Sequence, residues 1–352
     1  MQRPSFALTL VAVLLIASVF VLLQAGGSAP ISPAVGPRPS PTQPGALRGH
    51  LAICRRGRQI NQLQWETVLV ILDMTTLKED VIVTGCGGSP AWSSDGLQLA
   101  VDRSGPGFFE GPTGYPFLVI NADGSGKRNP VQFENNDTFY TNPVWTPDGS
   151  TIYFAYSINT MNNGGGGLIS TEVRALDVAS GVMRLIVPGP AWAPTLSPDG
   201  RTLAYIVPSG LWIANAADGS SPRQLLPASL FSIGILSRPQ FVEHGEAIVF
   251  AAQGMLATSA PTSQDPSARA TRWMEEHAAP VGLWRIGLDG TGLQRLMWLD
   301  QDTWDWALSP DGQWIAASGV NGIEVTDLNR EHLIRVSDQR GGWIAWGEAT
   351  GH

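Results

Sequence analysis

The chain has 352 residues, of which 43% are hydrophobic and only 15% are charged. Its formal net charge of -8 argues against nucleic acid as a partner, because no stripe of Lys and Arg is present to neutralise phosphates. The 40 Gly and 26 Pro residues favour many short strands joined by turns, and the length suffices for one large core.

The N-terminus carries a long apolar segment. Arg3 precedes a stretch from Phe6 to Leu23 that only Thr9 and Ser18 interrupt. This stretch just reaches the minimum length of a membrane-spanning helix and exceeds a usual signal-peptide core. We therefore predict a hydrophobic helix over residues 1–25 that acts as a signal anchor, with Arg3 on the cytoplasmic side. The alternative is a cleaved signal peptide, which would give a secreted protein; either way, the rest of the chain is exported.

Residues 26–48 form a Pro-rich linker. Its prolines lack backbone donors and favour the extended polyproline II conformation, which predicts a semi-rigid spacer without a core of its own. The folded domain is then expected over residues 49–352, with an insertion at about 253–281.

Three apolar runs open this domain, at Leu51–Arg55, Val68–Met74 and Asp80–Thr84. Five later stretches share one phrase: an apolar run, a tight turn on Asp-Gly, and a second apolar run. In Ser197-Pro198-Asp199-Gly200, Pro presets the first corner of the turn and Gly takes the positive φ that follows. The five stretches are Pro90–Val101, Pro143–Ala155, Pro194–Ile206, Pro239–Ala251 and Trp306–Ala317.

A third and a fourth strand follow each phrase, and four antiparallel strands form one blade of a β-propeller. The three opening runs match strands two to four of a blade that lacks its first strand. Gly342–Gly347 supplies one, because it looks like the start of the phrase cut off at the turn. We therefore predict an all-β, six-bladed propeller closed by one C-terminal and three N-terminal strands, which removes the exposed sheet edge. The fourth phrase has Glu243-His244-Gly245 instead of Pro-Asp-Gly, and a looser turn is expected there.

On these residues the chain resembles the TolB-type β-propeller repeat family, which is related in shape to WD-repeat propellers. The family phrase, roughly Pro-x-Trp-Ser-Pro-Asp-Gly with a later Asn-Ala-Asp-Gly turn, is matched at Pro90–Val101 with Asn121–Gly124, and at Pro194–Ile206. The resemblance covers about Gly49 to Trp346 and implies a propeller. Such repeats serve as scaffolds, as partner-binding domains and as gating domains of peptidases. TolB itself has an additional N-terminal α/β domain where this chain has its Pro-rich linker.

The turns after strands one and three are short and should lie at one face of the ring, the turn face. The connections after strands two and four should lie at the opposite face, the loop face, where binding sites are usual. The long connections are predicted at Ser104–Tyr115, Ser157–Leu168, residues 253–281, Glu134–Asn142, Ser229–Arg238 and Trp298–Asp305.

Two residue sets on the loop face are singled out. Aromatic rings beside carboxylates suit a sugar, a cationic peptide or a metal, and they occur together in one segment: Trp298, Asp300, Asp302, Trp304 and Asp305. The alternative is that these Trp residues pack between blades while the Asp residues face water. Cys54 and Cys86 are the only cysteines. A disulfide between them would link two parts of the blade whose strands come from both ends of the chain. Two free thiols are the alternative.

No G-x-S-x-G elbow, H-E-x-x-H motif or phosphate-binding Gly loop is present, and we predict no catalytic, cofactor or metal residues. The expected protein is a monomeric, non-enzymatic propeller, membrane-tethered outside the cytoplasm, that binds a protein or glycan partner of the cell envelope. The alternative is a hydrolase or lyase with a site in the central channel or on the loop face. The sequence does not identify the ligand.

Overall fold

The computed structural model is an all-β propeller over the part of the chain that it describes. That part comprises residues 47–59, 65–102, 117–131, 138–160, 167–231, 234–235, 238–254, 281–300, 302–328 and 331–348. The predicted N-terminal helix, nearly all of the Pro-rich linker and most of the predicted insertion lie outside these ranges. Among the described residues, no helix has the length and apolar character needed to cross a membrane.

The strands form six antiparallel sheets, each of which is one blade. Five blades are continuous in the chain, and we number them in chain order. Blade 1 contains β4 (Pro90–Trp92), β5 (Gln98–Asp102) and β6 (Phe117–Asn121); blade 2 contains β7 (Thr138–Trp145), β8 (Thr151–Thr160), β9 (Gly167–Asp177) and β10 (Met183–Val187); blade 3 contains β11 (Trp192–Leu196), β12 (Thr202–Val207), β13 (Gly210–Asn215) and β14 (Arg223–Pro227). Blade 4 contains β15 (Gly234–Ile235), β16 (Gln240–Val242), β17 (Ala247–Gln253), β18 (Val281–Gly287) and β19 (Gln294–Trp298); blade 5 contains β20 (Thr303–Leu308), β21 (Trp314–Gly319), β22 (Gly322–Asp327) and β23 (Leu333–Ser337).

The sixth sheet, the split blade, joins the two ends of the domain. Its order is β24-β1-β2-β3, where β24 is Trp343–Gly347, β1 is His50–Gln59, β2 is Trp65–Asp73 and β3 is Glu79–Thr84. Strand β24 pairs antiparallel with β1 from Cys54↔Trp343 to His50↔Gly347. The predicted closure of the ring by one C-terminal and three N-terminal strands is therefore confirmed.

The apolar core lies in layers between neighbouring blades. Strands that are buried on both sides read as continuous apolar runs, and Leu203 to Ile206 in β12 is one example. One layer, between blade 5 and the split blade, brings Ile323 and Val325 against Ile53 and Ile344. The next layer brings the split blade's Leu69 against blade 1.

Indole donors connect consecutive inner strands. The Trp145 ring N–H donates to the carbonyl of Ala91 at 3.1 Å, and the Trp92 ring N–H donates to the carbonyl of Ala345 at 3.1 Å. Each Trp occupies the third position of the repeated phrase and reaches the neighbouring blade. Trp in that position therefore forms a hydrogen bond between blades 2 and 1, and another between blade 1 and the split blade.

Some predicted connections are shorter than the sequence indicates. Strands β8 and β9 continue into the segment predicted as a loop over Ser157–Leu168, because Ser157 and Ile158 go on pairing with Thr171 and Ser170. Strand β7 likewise begins at Thr138, inside the loop predicted over Glu134–Asn142. The end of β8 and the start of β9 contain polar residues and Gly and lack the apolar alternation by which the inner parts of the strands are recognised.

Candidate functional site

The loop face carries the candidate segment from Trp298 to Asp305. Trp298 ends β19, and Thr303 begins β20 after a turn in which the Thr303 backbone N–H donates to the Asp300 carbonyl at 2.9 Å. Trp304 lies in β20, and Gln301 lies outside the described residues. The structure thus places the predicted residues around one strand-to-strand connection between blades 4 and 5.

The members of this segment have different environments. The Trp298 ring is half-buried, and the Arg295 guanidinium lies 4.3 Å above its centre. Asp302 is exposed, and its carboxylate accepts a hydrogen bond from the Asn321 side-chain amide at 3.2 Å. Asp300 is exposed as well, so two carboxylates of the set face solvent.

Asp305 points to the interior of the ring. It is 8% exposed, and its Oδ2 accepts hydrogen bonds from Arg238 Nη2 at 2.7 Å and from the Ile344 backbone N–H at 2.9 Å. Arg238 also donates to the Ile344 carbonyl at 3.0 Å. This group joins blades 4, 5 and the split blade at the closure. Asp305 could be singled out in the sequence because it is a carboxylate between Trp304 and Trp306. Its partner Arg238 lies 67 residues away, and no sequence pattern indicated it.

Two large apolar side chains are exposed at the same end of the closure. Val320, between β21 and β22, is 42% exposed, and Trp343, at the start of β24, is 47% exposed. Backbone hydrogen bonds fix both segments, because Val320 N–H donates to the Asp302 carbonyl and Gly341 N–H donates to the Gly319 carbonyl. Asp302, Val320, Asn321 and Trp343 together are called the loop-face patch below. Sequence reasoning missed Val320 and Trp343, since exposure of an apolar side chain depends on its neighbours in space.

Cationic residues lie next to this patch. Arg56, Arg58 and Arg340 are exposed on the segments that follow Cys54 and precede Gly341. Partial burial lowers the pKa of the Arg56 guanidinium from its ordinary value, and the nearby Arg340 charge lowers it further.

Cys54 and Cys86 are joined by a disulfide in the structure, with the Cα atoms 5.9 Å apart. Both cysteines are buried in the layer between the split blade and blade 1. The Thr67 hydroxyl donates to the Cys86 carbonyl and holds the segment after β3 against β2. The bridge therefore connects the second strand of the split blade to the segment that follows its last strand.

Among the described residues, one group combines side chains of metal-ligand type: Asp327, Glu331 and His332, at the turn after β22. Asp327 accepts hydrogen bonds from the backbone N–H groups of Glu331 at 2.9 Å and His332 at 3.1 Å, and it contacts the His332 ring at 2.5 Å. Its oxygens thus close a turn, and this turn chemistry accounts for the group.

Comparison with known proteins gives a likeness of fold. No family model matches the chain, and no curated protein is similar to it in sequence. Among solved structures, TolB from Acinetobacter baumannii aligns with a TM-score of 0.60 at 15% identity, over 85% of this chain and 66% of that one. A chain of a nidogen/laminin complex aligns with a TM-score of 0.54 at 10% identity, over 84% and 97%. A protein assigned as TolB from Agrobacterium tumefaciens gives 0.50 at 17% identity, over 85% and 92%.

The fold defines a six-bladed β-propeller, and its structural neighbours are TolB-like propellers over about 85% of the chain. The chain spans 66% of the length of the Acinetobacter TolB. At these identities the likeness concerns the architecture, and a propeller hosts many unrelated functions. What this propeller does must be argued from its own surface.

Proposed function

We propose that the chain is an exported, membrane-tethered binding scaffold of the cell envelope that holds a protein or glycan partner on its loop-face patch. The single observation that carries the proposal is the exposure of Val320, whose N–H binds the Asp302 carbonyl, together with that of Trp343 on the adjoining segment that Gly341 connects to Gly319. Exposed aromatic area next to hydrogen-bonding groups is typical of sites that bind sugars and peptides.

Three further features support this function. The patch is held by backbone hydrogen bonds on adjacent blades, so a partner meets a preorganised surface and loses little affinity to ordering of the site. A disulfide is typical of a compartment outside the cytoplasm. The apolar stretch from Phe6 to Leu23 has the length and composition of a membrane anchor.

The experiment compares capture of partners by the wild-type protein and by Trp343→Ala and Asp302→Ala variants. Envelope extract of the source organism and a glycan array provide the candidate partners. Val182→Ala serves as the matched control, because Val182 is an apolar residue of blade 2 that is 64% exposed. We expect each patch variant to lose most of the captured partner at unchanged melting temperature, while Val182→Ala keeps it. Equal capture by all four proteins would refute this site.

A further inference from the structure

A cleft of about 1020 Å3 lies on the turn face, between the split blade and blade 1. Its walls come from the turns that end β2 and β6, from β3, and from the Pro-Asp-Gly-type turn of blade 1. This cleft is called the seam cleft. It is separate from the loop-face patch, because the two lie at opposite ends of the strands.

The seam cleft lies beside the split blade, whose strands one and two are not joined by a turn. In blades 1 to 5 a turn joins strands one and two, and neighbouring turns touch: the Ser94 hydroxyl donates to the Pro147 carbonyl, Gly200 packs on Pro147, and Gly245 packs on Pro198. In the split blade, strand one is β24 and strand two is β1, which lie at opposite ends of the chain. No turn connects them, so among the residues that the structure describes the turn of blade 1 has no such neighbour on its split-blade side.

Among the five phrases, the residue that follows the turn Gly is apolar only in blade 1. Leu97 is 55% exposed and lines the seam cleft. The equivalent residues of the other four phrases are polar: Ser150, Arg201, Glu246 and Gln313. The half-buried Trp92 ring adds a second apolar surface. The cleft therefore has apolar surface that the turn itself does not require.

The charge of the seam cleft is strongly negative. Its lining contains four aspartates, Asp73, Asp80, Asp95 and Asp123, against one lysine, Lys78, which pairs with Asp80 at 3.0 Å. Hydrogen bonds from Ser93 and Ser125 lower the pKa values of Asp95 and Asp123 respectively, so both stay ionised at neutral pH. Such a surface repels phosphates and favours cations.

We propose that the seam cleft binds an extended, basic segment of a partner protein. Arg or Lys side chains of that segment lie among the four aspartates, and an apolar side chain packs on Leu97 and Trp92. The size of the cleft, at the upper end of the range of about 300–1000 Å3 for small-molecule pockets, and its open side suit a peptide. An Arg over the Trp92 ring would add a cation–π contact.

The probe is a short fluorescent peptide of alternating arginine and leucine, with peptides of alternating glutamate and leucine and of alternating arginine and glycine as comparisons. Binding to the full-length protein is followed by fluorescence anisotropy. We expect the arginine–leucine peptide to bind at least tenfold more tightly than either comparison. Equal binding of all three peptides would overturn the proposal.

The variants separate this site from general charge effects. Asp80→Lys and Leu97→Gln should each weaken the arginine–leucine peptide by about tenfold, because each removes one of its two kinds of contact. Gln already occupies the position of Leu97 in blade 5, so the turn tolerates it. Asp338→Lys is the control, since its carboxylate is 88% exposed on blade 5 and the change in net charge is the same. An equal loss in this control would overturn the proposal, as would a dimer in sedimentation that Asp80→Lys dissociates.

Discussion

The Asp-Gly turns of the repeated phrase, in blades 1, 2, 3 and 5, are each built around one carboxylate. In blade 3, Asp199 accepts hydrogen bonds from the Ser197 hydroxyl at 2.6 Å and from the Arg201 backbone N–H at 3.0 Å. The Ser197 hydroxyl in turn accepts the Thr202 N–H. The same pattern recurs at Asp95, Asp148 and Asp311. A hydroxyl residue, any residue, Asp and Gly are thus the complete chemical requirement of the turn.

This arrangement makes stability depend on pH. The hydrogen bond from Ser197 is the main cause that lowers the pKa of Asp199 below its ordinary value, and the backbone N–H of Arg201 adds to it. A folded-state pKa below the unfolded value gives stability that is complete above about pH 5 and is lost as the pH falls through the folded pKa. The pKa is lowered in the same sense at Asp95, Asp123, Asp148, Asp177, Asp218 and Asp289.

We therefore expect the melting temperature of the wild-type protein to fall as the pH drops below about 4. Asp199→Asn should lower the melting temperature at pH 7 and should flatten this acid limb, because an amide does not titrate. Asp338→Asn is the control on an exposed residue outside the turns. Melting curves followed by circular dichroism across this pH range measure both effects. An acid limb as steep in Asp199→Asn as in the wild type would contradict the explanation.

Asp305 and Arg238 offer a second test at the scale of residues. Arg238→Met leaves a buried carboxylate whose charge has lost its partner, and a loss of about 3–5 kcal/mol in the free energy of unfolding is expected. The double variant Arg238→Met/Asp305→Asn should recover part of that loss, because the amide oxygen still accepts the Ile344 N–H while the buried charge is gone. Urea unfolding of the wild type, both single variants and the double variant measures the coupling. Additive single effects would show that the pair is not coupled.

The inner strands are joined to one another unevenly around the ring. Trp stands at the third position of the phrase in blades 1 and 2, while Leu196, Phe241 and Leu308 stand there in blades 3, 4 and 5. The indole N–H groups of Trp92 and Trp145 reach a carbonyl of the preceding blade, which a hydrocarbon side chain cannot do. The segment of the ring next to the closure thus has additional hydrogen bonds between its blades.

Trp145→Phe should lower the free energy of unfolding by about 1–3 kcal/mol, because a buried ring becomes smaller and the Ala91 carbonyl loses its donor. Trp212→Phe is the matched control, since the Trp212 ring N–H donates to the hydroxyl of Ser209 at an exposed position. The control should change stability by less than about 0.5 kcal/mol. Chemical unfolding of both variants, monitored by circular dichroism, measures the two changes in the free energy of unfolding. Equal losses would mean that the bond between blades contributes nothing.

How well the sequence predicts the structure differs from element to element. The blades were predictable because each phrase contains its own turn chemistry and two apolar runs, all within about 13 residues. The looser fourth turn is indeed different: Glu243–Gly245 forms a single turn of 3-10 helix, with His244 at φ 56°. The last strand of blade 1 was harder to predict: in the described residues that follow β6, a single bridge between Val119 and Arg128 stands in place of a regular fourth strand.

The site was less predictable than the fold for a physical reason. Asp302 and Trp298 could be singled out because they are close in sequence, but Asn321 and Trp343 join them through strands of other hairpins. Leu97 reads as an ordinary turn residue until the missing neighbour of its turn is recognised. The exposure of a side chain and its distance from other side chains depend on how the blades pack in the ring. A short stretch of sequence does not contain this information.

At the scale of the whole molecule, closure decides whether the ring exists. Strand β24 covers the edge of β1 through five paired positions, from His50↔Gly347 to Cys54↔Trp343. It also brings Ile344 and Trp346 into the layer against blade 5. The disulfide acts on the same blade, since Cys54 lies in β1 and closes a loop of 32 residues with Cys86. For a loop of this length, the chain-entropy estimate is about 4 kcal/mol.

Deletion of residues 341–352 should therefore abolish cooperative unfolding. The deletion exposes the backbone edge of β1, removes the Ile344 partner of Asp305 and opens a core layer, and an uncovered strand edge promotes aggregation. Deletion of residues 349–352 is the control, because it keeps β24 intact. Differential scanning calorimetry should show a single sharp transition for the wild type and the control, and a broad or absent one for the longer deletion. If the longer deletion melts like the wild type, β24 is not the strand that holds the ring closed.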